Sequence, residues 1–233
     1  MRLAGRGASV GLIDRNGEGL AATAEEIEAK GGASRSFAAD VSDGAALAGA
    51  IDAFCGEAGG LDTVVSCAGI VTEHLLHETE ERDWHNVIAV NLTGTFLLAK
   101  SALPRLLRRG GGSFVAISSD SGVHGAIGYG AYCASKHGVI GMVRCMALEY
   151  GPSGIRSNAV CPAFVDTPMA DGIFARAPQG MRESYRKLVP LKRFALADEV
   201  AKVVAHLSSD EASYTNGSIY MVDGGATSGY YVE

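Results

Sequence analysis

SFVAIS (residues 113–118), GAYCASKHGVIGMVRCMALEYG (130–151) and IRSNAVC (155–161) follow one another in the middle of the chain. The outer two are short runs rich in β-branched and small residues, each preceded by a glycine, the composition of strands. The middle one places Val139, Met142, Val143 and Met146 at intervals of three and four, which gathers them on one helix face. Strand, helix, strand in this order is a βαβ unit, with parallel strands joined by a crossover.

The same alternation extends both ways. Upstream, SVGLID (9–14) reads as a strand ending in an acid, 17–31 as a helix stopped by glycine, 34–39 as a strand, 43–58 as a helix and DTVVSC (62–67) as a strand. Helical patterns follow at about 79–90 and 92–109. Downstream, residues 162–195 hold four of the six prolines and read as irregular; a helix at 197–208 and the strand SIYMV (218–222) close the pattern. The strands read as uniformly apolar, as a sheet covered on both faces requires. The expected fold is α/β, a Rossmann-like doubly wound parallel sheet in three αβα layers, forming one domain over 1–233. Ligands of such sheets bind beyond the carboxyl ends of the strands, so the residues that follow strands carry the functional information.

Bulk properties narrow the function. The 233 residues carry a formal net charge of −6. Arg105, Arg108 and Arg109 make only a short basic helix end, which argues against a nucleic-acid partner. No apolar run approaches the roughly 20 residues that span a bilayer, and there is no leader pattern; a cytoplasmic location is expected. Five cysteines, Cys55, Cys67, Cys133, Cys145 and Cys161, include no C-x-x-C, so free thiols are expected and no metal site.

Tyr132 and Lys136 stand four apart on the helix and share a face. An ammonium beside a phenol favours the phenolate and would lower its pKa from about 10, which suits proton exchange with an alcohol or carbonyl. Alone, Y-x-x-x-K is a weak signal. Ser119, in ISSDSG (117–122), follows a strand thirteen residues earlier; its hydroxyl could donate to a carbonyl oxygen or simply cap a turn. Asn91, in VNLTGTF (90–96), sits where two helical patterns meet and could satisfy local backbone groups.

Taken together, these residues and spacings resemble the short-chain dehydrogenase/reductase family, in its cofactor-first subclass, along essentially the whole chain. Ser66-Cys67-Ala68-Gly69 is similar to the family's N-A-G segment, Pro162-Ala163-Phe164-Val165-Asp166-Thr167 to its P-x-x-V-x-T stretch, and Val222–Gly225 to its terminal V-D-G-G. The resemblance implies an NAD(P)-dependent oxidoreductase acting on a secondary alcohol or ketone. It makes Tyr132 the general acid/base, Lys136 the group that tunes it and holds the nicotinamide ribose, Ser119 the holder of the substrate oxygen, and Asn91 the holder of a water linking Lys136 to solvent. It places Cys67, Ala68, Gly69, Pro162, Val165 and Thr167 on the cofactor, and Asp40 and Val41 at the adenine. Asp40 could instead cap the helix near Asp43.

Asp14, at the end of its strand, can accept from the adenosine ribose hydroxyls and repel a 2′-phosphate, which favours NAD over NADP; the neighbouring Arg15 pulls the other way, and a turn before Asn16-Gly17 is a further reading. The family's opening strand and T-G-x-x-x-G-x-G loop are not found; Gly5-Arg6-Gly7 precedes a strand, and Met1–Ala4 reads as a last helical turn. The expectation is a chain lacking its first strand, whose loss would leave two neighbouring strands with unpaired backbone groups. A non-catalytic, truncated relative serving as a binding or assembly subunit is the alternative function, and an NADPH-dependent acyl-carrier reductase a third.

Residues of about 163–195 are expected to form a substrate lid, with Phe164, Met169, Ile173, Phe174 and Met181 giving it an apolar lining or merely packing it. His124 lies between Ser119 and Tyr132 and could face the substrate. The apolar face of helix 130–151 fits a homotetramer interface or core packing equally well, and Gly229-Tyr230-Tyr231 could reach a neighbouring subunit.

Overall fold

A computed structural model describes residues 1–229. The chain opens with a helical turn, Ala4–Arg6, closed by left-handed Gly7 (φ 88°), and enters β1 (Ser9–Asp14). Asn16 caps α1 (Gly17–Ala29) by accepting from the Gly19 amide at 3.1 Å. There follow β2 (Ala33–Ala38), α2 (Gly44–Ala58), β3 (Thr63–Ser66), α3 (Glu81–Ile88), α4 (Gly94–Arg109), β4 (Gly112–Ile117), α5 (Gly130–Tyr150) and β5 (Ile155–Pro162). The last third adds β6 (Val165–Asp166), α6 (Pro168–Phe174), α7 (Met181–Leu188), β7 (Ala195–Leu196), α8 (Ala197–Leu207) and β8 (Ile219–Val222).

The architecture is the expected Rossmann-like one. β3, β4, β5 and β8 pair in that order, all parallel. Successive side chains of a strand point to opposite faces, and both faces are covered. Phe114 and Ala116 of β4 join Leu106 of α4 and Val139 and Val143 of α5 on one face. Val115 and Val160 meet Val204 and Leu207 of α8 on the other.

β1 and β2 pair only with each other, as a separate two-stranded parallel sheet. Among the described residues, no strand bonds the second edge of β1 or the outer edge of β3. Ser9, Gly11 and Asp14 of β1 are exposed. The uniformly apolar strand pattern fails at β2, ASRSFA, where Arg35 and Ser36 are exposed and Arg35 pairs with Glu57 at 2.6 Å; an edge strand needs no second apolar face.

Two further expectations are corrected. The helical patterns around Asn91 are one continuous helix, Glu81–Arg109, joined by a π-turn over Ala89–Thr93. By length and composition it could cross a membrane, contrary to the expectation of no such run, yet Ala99, Ala102, Leu103 and Leu106 lie in the core. Residues 162–195 are not irregular: two short helices and the β6–β7 pair organise them. Pro168 at the first helical position and left-handed Gly180 before α7 were their local signals.

The turn from α4 to β4 depends on its glycines. Gly110, Gly111 and Gly112 all have positive φ (86°, 142° and 144°), and a Cβ on Gly112 would lie 2.5 Å from the Asp62 carbonyl oxygen. The close approach sets β4 against β3, and therefore fixes where the chain emerges at Ser118–Ser119.

Candidate active site

The carboxyl ends of β3, β4 and β5 deliver Cys67, Ser119 and Pro162 to one end of the sheet, and the first turns of α5 bring Tyr132 and Lys136 up to them. Lys136 is only 3% exposed. Its ammonium donates to the Ile117 carbonyl oxygen at 2.8 Å and sits 5.6 Å from the centre of the Tyr132 ring. Burial drives its pKa down to about 8, because a charge removed from water is disfavoured.

Two adjacent serines divide the work. Ser118 donates to the Lys136 carbonyl oxygen at 2.9 Å and so anchors α5. Ser119 lies beside the half-buried Tyr132 phenol and favours its ionised form. Its hydroxyl donates to Asp120 Oδ1 at 2.8 Å and accepts from the Ser121 amide at 3.1 Å, so the turn-capping role is real as well. The expected lowering of the Tyr132 pKa does not occur. Burial holds the phenol above its ordinary value, and Ser119 only partly offsets that. The spacing argument counted the lysine but not the desolvation, which only the packed structure supplies.

Asn91 is completely buried at the π-turn. Such turns shift one residue out of the regular ladder and recur at functional sites. Its Oδ1 accepts from the Ile70 amide at 2.8 Å, while its Nδ2 donates to the Ile70 carbonyl oxygen at 2.9 Å and to Ser135 Oγ at 3.0 Å. Both amide hydrogens are therefore committed to protein. Asn91 thereby pins the 67–70 segment to α5. Ser135 completes that link by donating to the Tyr132 carbonyl oxygen at 2.7 Å. Sequence reading passed over Ser135, although it lies inside the Y-x-x-x-K segment. Ser66 bonds Thr95 at 2.9 Å, which in turn donates to the Asn91 carbonyl oxygen.

Gly69 fits a ligand's close approach. A Cβ there would stand 3.4 Å from Asn91 Oδ1 and 3.5 Å from Lys136 Nζ, filling the space beside the ammonium. Cys67 and Ala68 are exposed along the same edge. Across the site Pro162 ends β5, Val165 lies in β6, and Thr167 donates to the Val165 carbonyl oxygen at 3.2 Å. The residues at this end fit a nicotinamide riboside.

At the far end, exposed Asp14 accepts from the Asn16 amide at 2.9 Å through one oxygen. Arg15 lies near Asp40, whose carboxyl is held low chiefly by hydrogen bonds from Ser42. Asp40 does not cap α2; Asp43 does, accepting from Ala45 and Ala46. Val41 packs at Gly94.

The two substrate-facing expectations fare differently. Phe164 belongs to an aromatic cluster with Phe174, Tyr185 and Phe194, at ring separations of 4.9–5.3 Å, so it packs the lid's own core. His124 is exposed, 3.8 Å from Asp120 and hydrogen-bonded to the Gly125 carbonyl. Tyr230 and Tyr231 of the expected intersubunit tail lie outside the described residues.

A doubly wound parallel sheet with this constellation at its carboxyl end has the form of a dinucleotide-dependent oxidoreductase. Residues 1–227 match the family model described as enoyl-(acyl carrier protein) reductase. The chain is 37% identical over 222 residues to D-threitol dehydrogenase of Mycolicibacterium smegmatis, covering 95% of this chain and 84% of that protein. The structure superposes on that of levodione reductase with a TM-score of 0.94 and 33% identity, covering 98% and 92% of the two chains. It superposes equally broadly on gluconate 5-dehydrogenase of Burkholderia cenocepacia, in complex with NADP and tartrate (TM-score 0.92, 29% identity, 98% and 89% coverage). The chain belongs to the short-chain dehydrogenase/reductase family of oxidoreductases. These matches run through nearly all of it and lend no support to the expected loss of a first strand.

Proposed function

We propose that the chain is an NAD-dependent oxidoreductase interconverting a secondary alcohol and its ketone. The observation that carries this reading is the meeting of Tyr132, Ser119, Lys136 and Asn91 at the carboxyl end of one parallel sheet. Tyr132 would be the general acid/base: protonated at neutral pH, it donates to a ketone oxygen, and in the reverse direction it takes the proton of the alcohol. Ser119 would turn its hydroxyl from Asp120 to the substrate oxygen. Lys136, with N–H groups beyond the one given to Ile117, would hold ribose hydroxyls in the space that Gly69 leaves. Asn91 would keep that space open through Ile70. Bound nicotinamide would supply the hydride acceptor or donor.

The free carboxylate oxygen of Asp14 supports NAD, although the related gluconate 5-dehydrogenase was captured with NADP. Cys67, Ala68, Pro162, Val165 and Thr167 would line the nicotinamide end, and Asp40 and Val41 the adenine end. Residues 1–233 would act as one domain within a homotetramer, in the cytoplasm, where five unpaired thiols are at home. An acyl-carrier substrate, suggested by the family description, is disfavoured by the net charge of −6, which would repel an acidic carrier.

A second reading, a non-catalytic binding subunit, is favoured by one observation: no strand among the described residues bonds the second edge of β1 or the outer edge of β3. NADH titration of the purified chain decides between the two. Saturable binding, followed by turnover of a secondary alcohol that Tyr132→Phe abolishes, supports the enzyme; no binding supports the subunit.

A further inference from the structure

Ser119 is buried, and an acid, Asp120, follows it directly where the chain leaves β4. The helical turn Asp120–Gly122 folds this carboxylate back over its own backbone. Asp120 Oδ1 collects three donors: the Ser119 hydroxyl at 2.8 Å, the Ser121 amide at 2.7 Å and the Ser121 hydroxyl at 3.3 Å. Ser119 Oγ in turn accepts from the Ser121 amide at 3.1 Å. A serine hydroxyl has one proton and two lone pairs. The proton is given to Asp120 and one lone pair to Ser121, so the second lone pair is what Ser119 offers a ligand.

No lysine or arginine relieves Asp120. Among the described residues its one ionic neighbour is His124, whose Nε2 stands 3.8 Å from Oδ2. The other ring nitrogen, Nδ1, lies 3.1 Å from the Gly125 carbonyl oxygen. A carbonyl oxygen only accepts, so in the neutral ring Nδ1 carries the proton and Nε2 turns a lone pair to the carboxylate. The carboxylate therefore keeps its charge for Ser119, and a hydrogen bond to a charged acceptor outweighs one to a neutral carbonyl.

We propose that Asp120 is a positioning residue that turns the Ser119 hydroxyl away from the substrate oxygen, so that the site receives an alcohol more readily than a ketone. An alcohol can donate its O–H to the lone pair that Ser119 presents. A ketone oxygen only accepts, and it meets lone pair with lone pair until the hydroxyl leaves Asp120. The inference rests on the proposed alcohol–ketone chemistry at Tyr132 and Ser119.

The test follows cyclohexanone reduction with NADH and cyclohexanol oxidation with NAD in the wild type and in Asp120→Ala. Freeing the hydroxyl helps the bound ketone and the transition state alike, but not the bound alcohol. KM for the ketone should therefore fall about tenfold at unchanged kcat, and kcat for the alcohol should rise about tenfold at unchanged KM, the worth of exchanging a charged acceptor for a neutral one. Both values of kcat/KM rise equally, as the fixed overall equilibrium requires. Asp120→Asn keeps the acceptor oxygen without the charge and should move both constants in the same sense by about threefold. Asp120 also disfavours the ionised form of Tyr132, so the substitution is repeated in a Ser119→Ala background, where neither shift should appear. Loss of activity in both Asp120 variants, or the same shifts without Ser119, would overturn the proposal. If the wild type converts neither compound, that outcome counts against the alcohol–ketone reading, and ligand-observed NMR of cyclohexanone judges Asp120 separately. Tighter binding to Asp120→Ala that requires Ser119 upholds the proposal; unchanged binding, or none, overturns it.

Discussion

Replacing Lys136 by Met should change how stability depends on pH, and the size of the change follows from burial. An unfolded lysine keeps its proton up to about 10.4; buried Lys136 releases its proton near 8. Between these values the unfolded chain binds the extra proton, so stability contributed by this site rises with pH. Below about 8 the folded chain carries the full penalty of a buried ammonium. From pH 7.5 to 9.5 the lysine should add ~2 kcal/mol, most of the ~3 kcal/mol that the whole shift represents at 1.36 kcal/mol per unit. Buried thiols work in the opposite sense: burial raises Cys55 and Cys161, so the folded chain resists their ionisation and loses stability as the pH climbs. The useful quantity is therefore wild type minus Lys136→Met, in which Cys55 cancels, while Cys67 and Cys161, which interact with the ammonium, do so only in part. Methionine keeps the length and bulk of the stem. Urea unfolding followed by fluorescence of the single tryptophan, Trp84, at pH 7.5, 8.5 and 9.5 gives both curves. The difference should move by ~2 kcal/mol in favour of the wild type. Parallel curves would refute the claim that Lys136 is buried as a strained cation.

Other perturbations probe separate links. Tyr132→Phe should lower kcat/KM by about 10²–10⁴-fold, the usual worth of a general acid/base, while NADH titration is little changed; a loss below tenfold would remove Tyr132 from the chemistry. Asn91→Leu should destabilise the chain by about 2–3 kcal/mol in urea unfolding, because the Ile70 amide and carbonyl are left buried without partners. Asp14→Ala should narrow the preference for NADH over NADPH by about tenfold, a loss of ~1.4 kcal/mol of like-charge repulsion; an unchanged ratio of dissociation constants would show that Asp14 does not read the ribose. Gly112→Ala should abolish soluble expression or cost several kcal/mol, since the new Cβ collides with the Asp62 carbonyl in a backbone region that alanine avoids.

What could be read from the sequence was what is encoded locally. The crossover from SFVAIS through the helix to IRSNAVC, and the shared face of Tyr132 and Lys136, follow from periodicity alone, and the structure reproduces both. Ser119 was separable from Ser118 only by family spacing; the structure adds the reason, since Ser118 is spent on the Lys136 carbonyl. The lid helices escaped because α6 and α7 are only seven and eight residues long; Met181, Tyr185 and Leu188 of α7 do share one face, but the run is too short and too charged to stand out from a loop. The π-turn escaped because it leaves no mark in residue type, although the junction it creates was placed correctly at Asn91. The direction of the Tyr132 shift was misjudged because desolvation is a property of the assembled fold.

The division of the sheet has a consequence for motion. Two hydrogen-bonded strands with one helix are marginal on their own, and β1, α1 and β2 share no backbone ladder with the remaining strands. Their attachment runs through side-chain packing, such as Phe54 against Gly11, and through ion pairs at the surface, including Arg2 with Asp198. Cooperative unfolding units tend to follow such boundaries. Amide protons of β1 and β2 should then exchange by a sub-global opening that leaves β3, β4, β5 and β8 protected. The end of the site that would read the adenosine would open and close on its own clock, while the catalytic end stays intact.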